Sequence, residues 1–103
     1  MPKFAIFSTA NFDNAEQRDK VLPVFRAHAE RCLKEEPGRA LDFKILKDRD
    51  DPTKSHAFEL FESESSWATH HEGPSVQILR KDCAAVGYDT RSRITAIYLH
   101  VAD

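Results

Sequence analysis

Three segments of this chain carry large apolar residues three positions apart: Phe4 and Phe7, Phe58 and Phe61, Ile94 and Ile97. In an extended strand, residues of opposite parity point to opposite faces, so each of these strands is apolar on both sides. An antiparallel sheet with one side in water alternates apolar with polar residues. A sheet apolar on both faces needs cover on both. Helices of the same chain can supply one cover, and a second copy of the chain laid sheet against sheet supplies the other. Two sheets packed this way enclose a space, and a pocket there is apolar with a few polar groups.

The segments between these strands fix the order of elements. "FAIFSTANF", Phe4 to Phe12, reads as the first strand. A helix follows from near Asp13, where Asp13 and Glu16 have capping-box spacing. Val21, Leu22, Phe25, Ala29, Cys32 and Leu33 then recur at helical spacing. Pro23 lies inside this run, so the helix either bends there or has Pro23 in its first turn. Pro37 and Gly38 of "EEPG" end it. "LDFKILK", Leu41 to Lys47, and "SHAFELFE", Ser55 to Glu62, are strands joined by the charged turn "DRDDPTK". A short helix over Glu64 to His71 has Ser63 as its N-cap. Gly73 breaks it, and Pro74 opens another helix that presents Val76, Leu79, Cys83 and Val86 on one face and ends at Gly87. "SRITAIYLHV", Ser92 to Val101, is the last strand. The order β-α-β-β-α-α-β makes a single α+β domain over residues 1–103: a ferredoxin-like split βαβ plait with a four-stranded antiparallel sheet.

Composition narrows the function. A net charge of −2 gives no basic field for nucleic acid or an anionic membrane. The apolar runs are too short to span a bilayer, and "MPKFAIFSTANF" lacks the apolar block of a signal peptide. Cys32 and Cys83 stand alone at apolar helical positions and read as buried free thiols. These features predict a cytoplasmic protein. His28, His56 and His100 are scattered, so no metal site is predicted. Nor does a phosphate-cradling Gly loop or dinucleotide fingerprint appear, and three Gly in the whole chain leave little room for one.

The stretch "EEPGRALDFKILKDRDDPTKSHAFELFESESSWATHHEGPS" resembles the central signature of the antibiotic biosynthesis monooxygenase domain family. The resemblance rests on Glu36-Pro37-Gly38, Asp51-Pro52-Thr53, Glu59, Phe61, His70 and Pro74, in that order and spacing. It covers about 40 residues in detail, and the element order extends it over nearly the whole chain. The resemblance implies a homodimeric α/β barrel built from two ferredoxin-like chains. It also implies oxidation of a small aromatic or quinol-type molecule by molecular oxygen without metal or flavin. The family is similar as well to the isomerase that processes phosphorylated autoinducer-2, and more distantly to haem-degrading monooxygenases. Many members place a second His directly after the Pro; this chain has Ser75 there, and it carries one extra residue between Gly38 and the strand.

On that resemblance His70 and Glu59 are the candidate catalytic residues, with Trp67, Phe61 and Asn11 as candidate substrate-binding residues. His70 is a base or hydrogen-bond donor, or else a partner of the carbonyls at the end of its helix. His71, one residue on, points about 100° away and faces solvent. If Phe58 and Leu60 pack under the helices, Glu59 faces the barrel interior; with the opposite parity it lies under the helices and needs a cation such as Arg93. Trp67 is either a core residue or an aromatic wall. Asn11 either orients a substrate oxygen or caps the following helix. Oxygenation without a cofactor requires a base, a water-poor cavity and groups that hold an electron-rich anion. The same parts suit an isomerase working by proton transfer, and the scaffold alone suits a non-catalytic dimeric module that binds a small molecule.

Overall fold

A computed structural model describes residues 1–35 and 38–102. Its strands are β1 (Phe4–Asn11), β2 (Asp42–Lys47), β3 (Lys54–Phe61) and β4 (Ile94–His100). Its helices are α1 (Ala15–Lys34), α2 (Glu64–His71), α3 (Pro74–Ala85) and the one-turn α4 (Thr90–Arg93). The strands form one antiparallel sheet in the order β2-β3-β1-β4, the ferredoxin-like arrangement expected.

Local chemistry sets each boundary. The N-cap of α1 is Asn14, one residue later than the Asp13–Glu16 pairing predicts. Its side chain accepts from the amide of Gln17 at 2.8 Å, and the Gln17 side chain accepts from the amide of Asp13 at 2.7 Å. Pro23 follows eight helical residues, so it does not lie in the first turn. It sits on the exposed side of the helix, where water can serve the carbonyl left without its amide partner. The helix ends at Lys34, with the amide of Glu35 bonded to the carbonyl of Arg31 at 2.9 Å. Pro37, the expected stop, lies outside the described residues; Gly38 has φ +82°. The β2–β3 turn is held by carboxylates: Asp48 accepts from the amides of Asp50 and Asp51, and Asp51 from the amide and hydroxyl of Thr53. Ser63 caps α2 and Pro74 opens α3, as the sequence predicts. The turn of α4 was not foreseen; Asp89 caps it and shortens the last strand at its start.

Register decides which residues share a face. Phe4 pairs with Phe61, and Ile6 with Glu59 on one side and Tyr98 on the other; Phe43 pairs with Glu59. This face lies under the helices. Phe4, Ile6, Phe43 and Phe61 form a buried cluster with Ala29 and Cys32 of α1. A second cluster joins Ala10 and Phe12 to Val21, Leu22 and Phe25 of α1, Cys83 of α3 and Tyr88. Both cysteines are free and buried. The opposite face carries Phe7, Leu46, Ile97 and Leu99, all exposed large apolar groups. Among the described residues no helix is long and apolar enough to cross a membrane.

Candidate active site

A cavity of about 240 Å³ lies inside one chain, between the sheet and its covering helices. It is distinct from a pocket enclosed between two sheets, which requires a second copy of the chain. Parity decides which side Glu59 takes. Phe4, Ile6, Phe43 and Phe61 are the side of the sheet that α1 covers, and Glu59 shares that parity. Phe58 and Leu60 therefore face the open side, and Glu59 lies under the helices. Among the described residues no cation pairs with it: Arg93 instead donates to Asp13 at 2.8 Å.

Glu59 meets the cavity in place of a cation. Its neighbours across the strands, Ile6 and Phe43, are apolar. It keeps some accessible surface because it faces the cavity, yet protein atoms enclose it. Among the described residues no hydrogen bond to its carboxyl occurs. Desolvation alone then raises its pKa from 4.5 to about 7. Aromatic groups complete the walls: Phe25 from α1, Phe43, Trp67 from α2 and Tyr98 from β4. Trp67 and Tyr98 pack together with ring centroids 5.3 Å apart. Arg80 of α3 and Arg91 of α4 also line the cavity.

His70 is 5% exposed and His71 is exposed; both border the cavity, and the His71 ring stacks on Trp67 with centroids 5.1 Å apart. Gly38 sets how closely α2 approaches. At φ +82° a Cβ there would stand 2.8 Å from the carbonyl oxygen of Ser66 and 3.0 Å from the amide nitrogen of His70. Only a glycine lets the chain before β2 pass against the backbone that carries His70. The imidazole points into the core. Its Nε2 lies 3.2 Å from Sγ of Cys32, and Phe61 packs on the ring at 5.4 Å. Burial lowers its pKa, and neighbouring Glu35 opposes that shift. Ser75, where many family members have a second His, is buried and donates its hydroxyl to Glu35. The contact ties the start of α3 to the end of α1.

Two other expected site residues stand elsewhere. Phe61 has no exposed surface and packs behind the cavity wall as core. The side chain of Asn11 neither reaches the cavity nor caps α1. Its Oδ1 accepts from Lys54 at 2.6 Å and its Nδ2 donates to the carbonyl of Arg93 at 3.4 Å. Its own carbonyl accepts from Tyr88 and Arg93, so Asn11 fastens the end of β1 to the segments beside it. His28 was missed: it lines the cavity, 6% exposed, with its Nε2 3.4 Å from Cys32 Sγ. Its four-residue spacing from Cys32 on a predicted helix was the available signal, since residues four apart share a face.

Solved structures resemble the whole fold at low sequence identity. A provisionally named antibiotic biosynthesis monooxygenase from Caulobacter crescentus superposes with a TM-score of 0.81 at 17% identity, covering 99% of this chain and 92% of that one. A similarly named protein from Nitrosomonas europaea gives 0.79 at 19%, covering 96% and 89%. A conserved protein from Methanosarcina mazei gives 0.79 at 13%, covering 99% and 95%. No curated protein matches the sequence. The profile of the antibiotic biosynthesis monooxygenase family matches residues 14–81, from the cap of α1 through most of α3. With more than half of its residues in that match, the chain belongs to the antibiotic biosynthesis monooxygenase family.

Proposed function

We propose that this protein is a cofactor-independent monooxygenase that oxidises a small aromatic or quinol-type substrate with molecular oxygen. One observation carries the reading: a carboxyl with no hydrogen-bond partner among the described residues, its pKa raised by burial to about 7, stands in an aromatic-walled cavity. A general base works best when its pKa lies near the working pH. Glu59 takes a proton from an acidic phenol or from a ring methylene, leaving an electron-rich anion. His70, neutral because burial disfavours its charged form, offers a second polar contact. The anion passes an electron to oxygen, and the two radicals join to form a C–O bond. Loss of water from the resulting peroxide turns the methylene into a carbonyl. One oxygen atom stays on carbon and the other leaves as water. All four electrons come from the substrate, so no external reductant enters.

The test is oxygen uptake by metal-stripped protein against a panel of quinols and anthrones. One oxygen consumed per carbonyl formed, lost in Glu59→Gln, supports the proposal. No uptake with any member rejects it.

A second reading rests on Arg80 and Arg91 at the cavity wall. Two guanidinium groups there suit an anionic, phosphate-bearing substrate, and the same Glu59 then moves a proton beside a carbonyl as an isomerase. Solvent deuterium entering a phosphorylated hydroxyketone without oxygen uptake distinguishes this reading from the first.

A further inference from the structure

We propose that His28, Cys32 and His70 form a binding site for a divalent ion from the zinc and copper end of the first transition row. The inference goes beyond the oxygenase reading and does not depend on it.

The three side chains come from two helices and meet in the core. His28 and Cys32 are one turn apart on α1, and His70 arrives from α2. All three are buried, and one ligand atom from each lies within 4.8 Å of the others. Sγ of Cys32 is 3.2 Å from Nε2 of His70 and 3.4 Å from Nε2 of His28. In a tetrahedral site with metal–sulfur bonds of about 2.3 Å and metal–nitrogen bonds of about 2.0 Å, sulfur and nitrogen stand about 3.5 Å apart. The observed sulfur–nitrogen separations are already close to that edge. Two imidazoles and one thiolate are the donors such ions prefer over oxygen-seeking ions such as magnesium or calcium.

The surroundings fit the charge. Burial, and after it the carboxylates of Glu59 and Glu35, disfavour the thiolate of Cys32. A dication at the cluster reverses that effect, because the thiolate and both carboxylates then offset its charge. Arg31 is the opposing charge nearby. Each imidazole offers a ring-nitrogen lone pair to a metal when neutral. His28 and His70 line the cavity while Cys32 stands behind them, so the fourth coordination position opens toward the cavity. An ion bound there occupies His70 Nε2 and competes with any contact between that atom and a substrate.

Cobalt(II) titrated into the full-length, metal-stripped protein reads the site directly. The expected result is one equivalent bound, with a near-ultraviolet thiolate-to-cobalt charge-transfer band displaced by zinc. Cys32→Ser removes the band, and His28→Ala weakens binding by about tenfold or more. Cys83→Ser, which alters the other buried thiol, leaves both unchanged. Circular dichroism of each variant checks that it folds. The wild-type titration alone overturns the proposal if excess cobalt gives no thiolate band. A band that survives in folded Cys32→Ser, or disappears only in Cys83→Ser, overturns it equally.

Discussion

The two faces of the sheet have similar compositions and different fates. The covered face carries Phe4, Ile6, Phe43 and Phe61, and every one is buried. The open face carries Phe7, Leu46, Ile97 and Leu99, and every one is exposed, Ile97 by 59%. The covered face brings one carboxyl, Glu59, to a cavity that His28 of α1 and His70 of α2 also border. On the open face the polar groups pair with one another. His56 donates to Asp48 at 2.8 Å and meets Thr9 at 3.0 Å, and Asp48 is held well below the usual carboxylate range, at about 2. A carboxyl left without a hydrogen-bond partner beside empty space suits chemistry. Apolar groups left exposed between satisfied polar ones suit an interface.

The largest test of this contrast is stability. Phe61→Ala removes a fully buried ring from the covered face and is expected to cost about 3–5 kcal/mol. Ile97→Ala, on the open face, is expected to change monomer stability by no more than about 0.5 kcal/mol. Urea unfolding at low protein concentration measures both, and similar losses would mean that the open face is as well packed as the covered one.

Next is the pH dependence of Glu59. Its folded pKa is raised from 4.5 to about 7, so between those values the folded state holds a proton that the unfolded state has released. Stability from this group is therefore fully present below pH 4.5 and is lost as pH rises through about 7. A shift of this size corresponds to at most about 3 kcal/mol. Glu59→Gln abolishes that loss. The stability of the variant relative to wild type should rise by up to that amount between pH 4.5 and 8, measured in chelator. A difference that stays flat with pH would place Glu59 in contact with water. The same substitution is expected to lower oxygenation about 10²-fold, mainly in kcat, as removal of a general base does.

The open face yields a smaller effect. We expect a homodimer formed through it, because Ile97, Leu99 and Leu46 are too apolar to remain in water, and β4 is an exposed edge strand along most of its length. Ile97→Asp places a charge in that surface and should weaken dimerisation about tenfold or more. Sedimentation across micromolar concentrations measures it. A wild-type protein that stays monomeric throughout would leave the open face without its proposed cover.

The element order apart from the turn of α4, the starts of α2 and α3 and the apolar character of both sheet faces were legible because each depends on local chemistry or on a simple period. The sidedness of Glu59 was not. Phe58-Glu59-Leu60-Phe61 offers apolar residues of both parities, so alternation cannot say which side α1 will cover. The pairing of Phe4 and Phe61 under Ala29 and Cys32 decides it, and that contact is long-range. Asn11 misled for a related reason: its partners, Lys54 and Arg93, are remote in sequence. The His28–Cys32 pair was readable as one turn of a predicted helix, whereas its meeting with His70 required the packing of α2 on α1.

The smallest predicted effect falls within a single helix, where the contrast between covered and open surface is repeated at neighbouring residues. His70 and His71 point about 100° apart because each helical residue turns by that angle. Gly38 lets the chain pass close to α2 at His70, whose ring is buried against Cys32, while the exposed His71 ring stacks on Trp67 at the cavity edge. His71→Ala removes an exposed stacking contact, so stability should change by about 0.5 kcal/mol or less and turnover by less than about twofold. His70→Ala also removes a buried ring that touches Cys32 and Phe61, so its loss must be read on folded protein with KM and kcat separated. A polar contact to the bound anion predicts a drop in kcat that the His71 variant does not share. Equal losses from both substitutions would reject a particular role for His70, because both rings border the cavity.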